Sequence, residues 1–302
     1  MQEKIFITGA SGFWGKYLFE GLKKDFDVYG SCNKTSIKNK KIFRLNLENS
    51  EEIHNTFTQI KPNIIIHTAA CSKVDICENN KEIAYRINVE ATERIAKWCR
   101  ENNCRLIFFS TDLVYDSKNP EILFKESDKT SPKCYYAYTK LTAEEKIRNI
   151  LDECIILRVA LSYGIGDNMH KSFFDWIYKN LSENKKVTLF TDQYRTPMFV
   201  EEGVEIIKIL IKNRIKNETI NFGGIEKLNR YEFGLKVTEV FNFSKELLKP
   251  IKSTEVQGIT FRSFNSSMNI EKLIKLTDYR FNTIQENLKR IKSKISPNEA
   301  PH

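Results

Sequence analysis

The heptapeptide CYYAYTK at 134–140 sets Tyr136 four residues before Lys140, so on a helix the phenol and the ammonium share one face. Two readings of this pair stand. It is either the start of an ordinary amphipathic helix, where aromatic and basic residues meet by chance, or a proton donor held beside a cation. A pair of hydroxyls, Ser110 and Thr111, closes the apolar run RLIFFST at 105–111. If that run is a strand, they sit at its carboxyl end, where ligands bind in open α/β sheets.

A third group lies at the amino end. The run KIFIT leads directly into TGASGFWG, whose Gly9, Gly12 and Gly15 open a helical pattern. Glycine suits such a loop because the turn is tight and the backbone must come close to a pyrophosphate. The helix start then offers unpaired N–H groups and a positive dipole end to phosphate oxygens. A strand before the loop and a helix after it mark a dinucleotide site, with Ser11, Phe13 and Trp14 in the same loop. In GSCNKT, where the second strand ends, Asn33 and Lys34 stand in place of a carboxylate for the ribose hydroxyls. A cation there suits a 2′-phosphate, so NADPH is expected, with NADH the alternative if Lys34 is only a loop lysine.

Short β-like runs alternate with helical patterns through the first half, a rhythm that predicts βαβ units on a parallel sheet. Strands are expected at 4–8, 26–32, 41–47, 62–70, 105–111 and 154–160, with helices at 13–24, 50–60 and 80–102. Beyond 160 the pattern loosens, to helices at 169–182, 201–213, 229–241 and 283–293 and strands near 187–190 and 219–222. The expected fold is α/β: a Rossmann-type doubly wound parallel sheet with a smaller α/β C-terminal substrate lobe. The dinucleotide domain is placed at 1–160 and completed by 190–215, the lobe at 161–189 and 216–295, and a frayed tail at 296–302.

The chain has 302 residues, 41% of them hydrophobic, which suits a globular protein with a large core. The net charge of +9 comes from scattered lysines without a basic, aromatic-interleaved block, so no nucleic-acid partner is expected. No apolar run approaches ~18 residues and the start lacks a signal-peptide layout, so no membrane partner is expected and the location is read as cytoplasmic. The seven cysteines form no C-x-x-C pair, and no metal site is read from them. His67, ending an apolar strand, reads as structural.

Together TGASGFWG, HTAACSKVD, RINVEAT, FFSTDLVYD and YYAYTK resemble an extended short-chain dehydrogenase/reductase. The later TDQYRTP and NFGGIEKLNRYEF are similar to the dTDP-4-dehydrorhamnose reductase branch of that family, over roughly 3–280. The resemblance implies that Tyr136 is the general acid, Lys140 its partner and holder of the nicotinamide ribose, and Thr111 the hydroxyl on the substrate carbonyl. Ser110 is the other hydroxyl for that role and is counted with the cofactor residues. The physical case stands beside this. Hydride delivered to a ketone leaves an alkoxide that needs a proton, and a nearby ammonium lowers the pKa of a phenol.

The resemblance further implies that Asn46 and Leu47 lie near adenine and that Ala69 and Ala70 narrow the cofactor channel. It makes Asn88 a structural helix asparagine. Asp112, Leu113, Asp192, Gln193 and Arg195 become substrate-side residues, Arg195 being either a phosphate ligand or part of a surface ion pair. Related dehydratases carry Asp-Glu after the threonine, whereas here Asp112 is followed by Leu113, which favours plain reduction of a 4-keto sugar nucleotide. Leu113 and Ala160–Leu161 replace aromatic residues with which the branch grips its sugar, so the sugar itself stays open. An epimerase of the same fold and a non-catalytic NADP-binding regulatory subunit are the alternatives. A homodimer is the remaining partner expectation.

Overall fold

The computed structural model describes residues 2–33, 39–167, 169–258, 260 and 263–295. Lys34 and the tail at 296–302 lie outside the described residues. Strand β1 (Lys4–Thr8) runs between β2 (Asp27–Cys32) and β4 (Ile64–His67). The sheet continues through β3 (Ile42–Arg44) on one side and through β5 (Arg105–Thr111) and β6 (Cys154–Val159) on the other. Glu218–Phe222 pairs in parallel with β6 and completes a seven-stranded parallel sheet. The chain winds outward from β1 to β3, then returns to β4 on the opposite side. Connections that diverge at such a reversal open a crevice at the carboxyl ends of the strands.

Successive strand residues face opposite ways, which explains why the central strands are apolar throughout. Ile5, Ile7, Ile66, Ile107 and Leu157 enter one core with Leu18, Phe19 and Leu210, while Phe6, Ile65, Leu106, Phe108 and Ile156 enter the other with Phe57, Ile95 and Ile147. A separate cluster of Tyr163, Phe174, Leu189, Phe233, Val237 and Leu288 forms the core of the second lobe. Among the described residues, no helix is long and apolar enough to cross a membrane.

Several expectations are corrected. Glu218–Phe222 belongs to the main sheet and not to the substrate lobe, because it hydrogen-bonds along β6. The strands expected at 41–47 and 62–70 shorten to Ile42–Arg44 and Ile64–His67, leaving 68–73 as a loop on the crevice. The single helix expected at 80–102 is segmented into Lys81–Tyr85, a π-helical turn Arg86–Glu90 and Ala91–Glu101, and a further short helix, Val74–Asn79, precedes it. π-turns interrupt helices where a side chain must be aimed, often at functional sites. Here the turn aims Asn88, whose Oδ1 accepts from Cys71 N at 2.8 Å and whose Nδ2 donates to Cys71 O at 3.1 Å and Thr139 Oγ1 at 3.0 Å. The helix expected from 169 begins at Phe173, where Ser172 and Asp175 form a capping box.

The helix Tyr135–Ile150 is fixed to the sheet by a buried charge. The Glu144 carboxylate accepts from Ser110 Oγ on β5 at 2.5 Å and from Arg158 Nη2 on β6 at 2.8 Å. Arg148 Nη2, one turn along the helix, donates to it at 2.6 Å. Breaking such a pair leaves an uncompensated buried cation. Glu144→Leu is therefore expected to lower the unfolding free energy by about 3–5 kcal/mol in a denaturant titration. Glu144→Leu combined with Arg158→Met should recover much of that loss; a single variant as stable as the wild type would contradict the assignment.

Candidate active site

The turn after β1 is shaped by crowding. Gly9 has φ +72°, and a Cβ on it would lie 3.0 Å from Ala69 Cα; one on Gly15 would fall 2.0 Å from the Gly9 carbonyl oxygen. The absence of side chains here brings the loop after β4 against the start of helix α1 (Phe13–Leu22). Gly12 caps that helix without a side-chain hydrogen bond, and its first turn carries no acidic residue. The N-terminus thus keeps its positive end toward a cavity of about 800 Å³ at the carboxyl edge of the sheet.

Most of this cavity wall comes from the ends of strands and the loops that follow them, the rest from the starts of helices. Gly9, Ser11, Gly12, Phe13, Trp14 and Gly15 form one side, with Trp14 Nε1 donating to Ser162 Oγ at 2.9 Å. Asn33 lines it after β2, Asn46 and Leu47 after β3, and Ala69 and Ala70 after β4. Ser110, Thr111, Asp112, Tyr136 and Lys140 close the far end.

At that end the Thr111 hydroxyl and the Tyr136 phenol lie beside each other in the cavity wall. Thr111 Oγ1 also donates to Asp112 Oδ1 at 3.3 Å and accepts from Leu113 N at 3.2 Å. Asp112 is buried, accepts from Ser266 Oγ at 2.7 Å and pairs with Arg195 Nε at 3.5 Å. Burial raises its carboxyl pKa, with Arg195 acting in the opposite direction. Burial, and then the neighbouring Asp112, push the Tyr136 phenol above its ordinary value. Tyr136 is therefore a neutral phenol that keeps its proton.

In the protein alone, burial outweighs the lowering expected from a nearby ammonium and an oxidised nicotinamide. The Lys140 Nζ lies 4.0 Å over the Phe108 ring, and burial lowers its own pKa to about 7, partly opposed by Glu144. Ser110 is taken up by Glu144, which leaves Thr111 as the hydroxyl facing the phenol. His67 is fully buried between the Thr8 and Thr92 hydroxyls, at 2.7 and 3.0 Å, and burial lowers its pKa to about 3, so the ring stays neutral.

A second cavity of about 430 Å³ shares Asp112, Tyr136, Leu161, Ser72 and Lys73 with the first. Its other walls include Leu113, Arg195 and Arg230. Arg195 is neither a surface ion pair nor an extended phosphate arm. Its guanidinium is buried, donating to the Tyr194, Phe264 and Ser263 carbonyls besides pairing with Asp112. Asp192 lines neither cavity; it accepts from Ser253 N and Oγ at 2.9 Å. Gln193 also lines neither, but its Oε1 accepts from Arg230 Nε at 3.0 Å. Arg230 and Lys73 were not read from the sequence as site residues. A signal existed for Arg230: it is the first residue of the helix Arg230–Phe241, where the dipole disfavours a cation.

Comparison with known proteins follows the same geometry. Among curated relatives, the beta subunit of methionine adenosyltransferase 2 from Bos taurus is 26% identical over 275 residues, covering 89% of this chain and 81% of that protein. The probable low-salt glycan biosynthesis reductase Agl14 of Haloferax volcanii is 25% identical over 269 residues, covering 88% and 89%. Of solved structures, a dTDP-4-dehydrorhamnose reductase from Bacillus anthracis in complex with NADP superposes with a TM-score of 0.86 at 24% identity, covering 97% of this chain and 100% of that one. A hypothetical dTDP-4-dehydrorhamnose reductase from Sulfolobus tokodaii gives 0.82 at 29% identity, covering 93% and 97%. Residues 3–296 match the family model described as the RmlD substrate binding domain, and the chain belongs to that family.

Proposed function

We propose that the protein reduces a 4-keto group on a nucleotide-linked sugar at the expense of NADPH. The observation that carries this reading is Tyr136, which lines both cavities, beside Thr111 at the end of the first. A cofactor in the first cavity and a ketone in the second would meet at that pair. The residues of the first cavity fit a dinucleotide. Gly9 and Gly15 allow the backbone to approach, the uncapped start of α1 faces phosphate, and Asn33 brings no carboxylate against a 2′-phosphate. The NADP complex of the Bacillus anthracis relative supports the same assignment.

When bound there, a dihydronicotinamide supplies hydride to a ketone. Tyr136, kept protonated by burial and Asp112, gives the proton that the developing alkoxide requires. Thr111 lies beside the phenol, and its hydroxyl would turn from Asp112 Oδ1 to donate to the same oxygen. Lys140, which lines the same cavity, would hold the ribose of the cofactor there. Asp112 is held by Arg195 and Ser266 and is followed by Leu113 in place of the glutamate that related dehydratases use to move protons, which favours plain reduction. On the substrate side, Arg230 and Lys73 are the cations for a diphosphate, with Gln193 orienting Arg230. Leu113 and Leu161 offer an aliphatic wall suited to a deoxy position. The cysteines among the described residues are thiols and not disulfides, which suits a reducing cytoplasm.

A second reading is a cofactor-binding subunit of another enzyme, raised by the beta-subunit relatives. Against it stands a buried, protonated phenol in the wall of both cavities, which a binding role does not need. Incubation with a panel of dTDP-, UDP-, GDP- and CDP-linked 4-keto sugars should oxidise NADPH with one member, and Tyr136→Phe should cut that turnover by ~10²-fold or more while NADPH binding persists. Silence across the panel with intact NADPH binding would favour the subunit. Arg230→Ala should raise KM for the sugar nucleotide ~10-fold or more, as expected for a hydrogen bond to a charged group, with little change in kcat; an unchanged KM would place the diphosphate elsewhere.

A further inference from the structure

The loop between β4 and the helix Val74–Asn79 forms a rim common to both cavities, through Ser72 and Lys73. Two thiols bracket that rim. Cys71 lines the first cavity and is partly exposed, while Cys77, on the short helix, is fully buried. Their sulfur atoms lie 3.6 Å apart, and the Cys77 thiol also donates to the Cys71 carbonyl at 3.1 Å, which keeps it turned toward its partner. A disulfide bond is about 2.05 Å long, so the sulfurs must close by roughly 1.5 Å to form one.

That movement cannot be taken up evenly. Asn88 clamps the backbone of Cys71 at both its N–H and its carbonyl. The displacement therefore falls on residues 72–73 and on the helix Val74–Asn79. This helix reaches the catalytic helix directly, because Glu78 Oε1 accepts from the N–H of Tyr135, one residue before Tyr136.

We propose that Cys71 and Cys77 are a peroxide-responsive thiol pair whose disulfide displaces the rim shared by both cavities and weakens cofactor binding. Cys71, the accessible member, attacks hydrogen peroxide, giving a sulfenic acid and one water. The Cys77 thiol then attacks that sulfur, forming the S–S bond and releasing a second water. Two thiols are oxidised, one peroxide is reduced, and a cellular dithiol reverses the step. A transient disulfide of this kind is the form compatible with a reducing compartment. Cys99, Cys104 and Cys154 are buried in the sheet core and line neither cavity, so they serve as internal controls.

The consequence for binding rests on the reading of the first cavity as the cofactor site; the disulfide itself does not. The full-length protein is titrated with hydrogen peroxide and digested with trypsin without reduction. Cleavage after Lys73 separates Cys71 from Cys77, so the expected product is a pair of peptides joined between them and parted by dithiothreitol. The dissociation constant for NADPH, read by fluorescence, should rise about fivefold or more, the lower end of usual coupling between sites, and return on reduction. Cys77→Ser should show neither the joined peptides nor the shift. Absence of the joined pair, or linkage of Cys77 to Cys134 instead, would overturn the proposal. Joined peptides with an unchanged NADPH constant would overturn the coupling, whereas reduced protein that binds no NADPH would sink the cofactor reading and leave the disulfide standing. The dithiothreitol reversal in the wild type keeps the test decisive if Cys77→Ser does not fold.

Discussion

The geometry of the site depends on one buried carboxylate. Glu144 receives a hydroxyl from β5 and a guanidinium from β6 in a buried layer, and a second, exposed guanidinium from Arg148 on its own helix. Ser110 and Arg158 are neighbours of Thr111 and Val159, the last residues of their strands, while Glu144 lies one turn after Lys140. The carboxylate thereby fixes the strand end that carries Thr111 relative to the helix that carries Tyr136 and Lys140. A buried ion pair is costly to desolvate, and well-packed apolar residues could stabilise such a position as well. What the charge adds here is registration of the hydroxyl, the phenol and the ammonium.

Electrostatics then divide the labour within the site. Asp112 lies close enough to raise the phenol, yet is itself held by Arg195 and Ser266. Lys140 is set over an aromatic ring and loses much of its basicity to burial. In this arrangement the tyrosine stores a proton instead of surrendering it. That is the resting state suited to reduction, where the proton is wanted only once negative charge appears on the substrate oxygen.

Much of this was legible in the sequence, and the reasons are physical. Crowding around Gly9 and Gly15 leaves little choice of residue, so the phosphate loop announces itself. A run such as Ile64–Ile66 fits only a strand covered on both faces, and Tyr136 and Lys140 share a helix by spacing alone. What escaped depends on contacts distant in the chain. The π-turn around Asn88 exists because its amide must bridge Cys71 and Thr139. Glu218–Phe222 joins the first domain because β6 offers an open edge. Asp192 and Arg195, adjacent in the motif, part company because one caps Ser253 and the other enters a buried network with Asp112. The sign of the Tyr136 shift could not be read either, since it is set by burial.

The second cavity is drawn more loosely, with the aliphatic Leu113 and Leu161 and the cations Lys73 and Arg230 in its lining. The most direct test of the central claim follows the hydride itself. NADPH deuterated at the reactive position of its nicotinamide would be incubated with the 4-keto sugar nucleotide and the product analysed by NMR and mass spectrometry. A reductase built as described places one deuterium on carbon 4 of the sugar, with stoichiometric oxidation of the cofactor. Recovery of an unlabelled or merely epimerised sugar, with the label still on the cofactor, would contradict it.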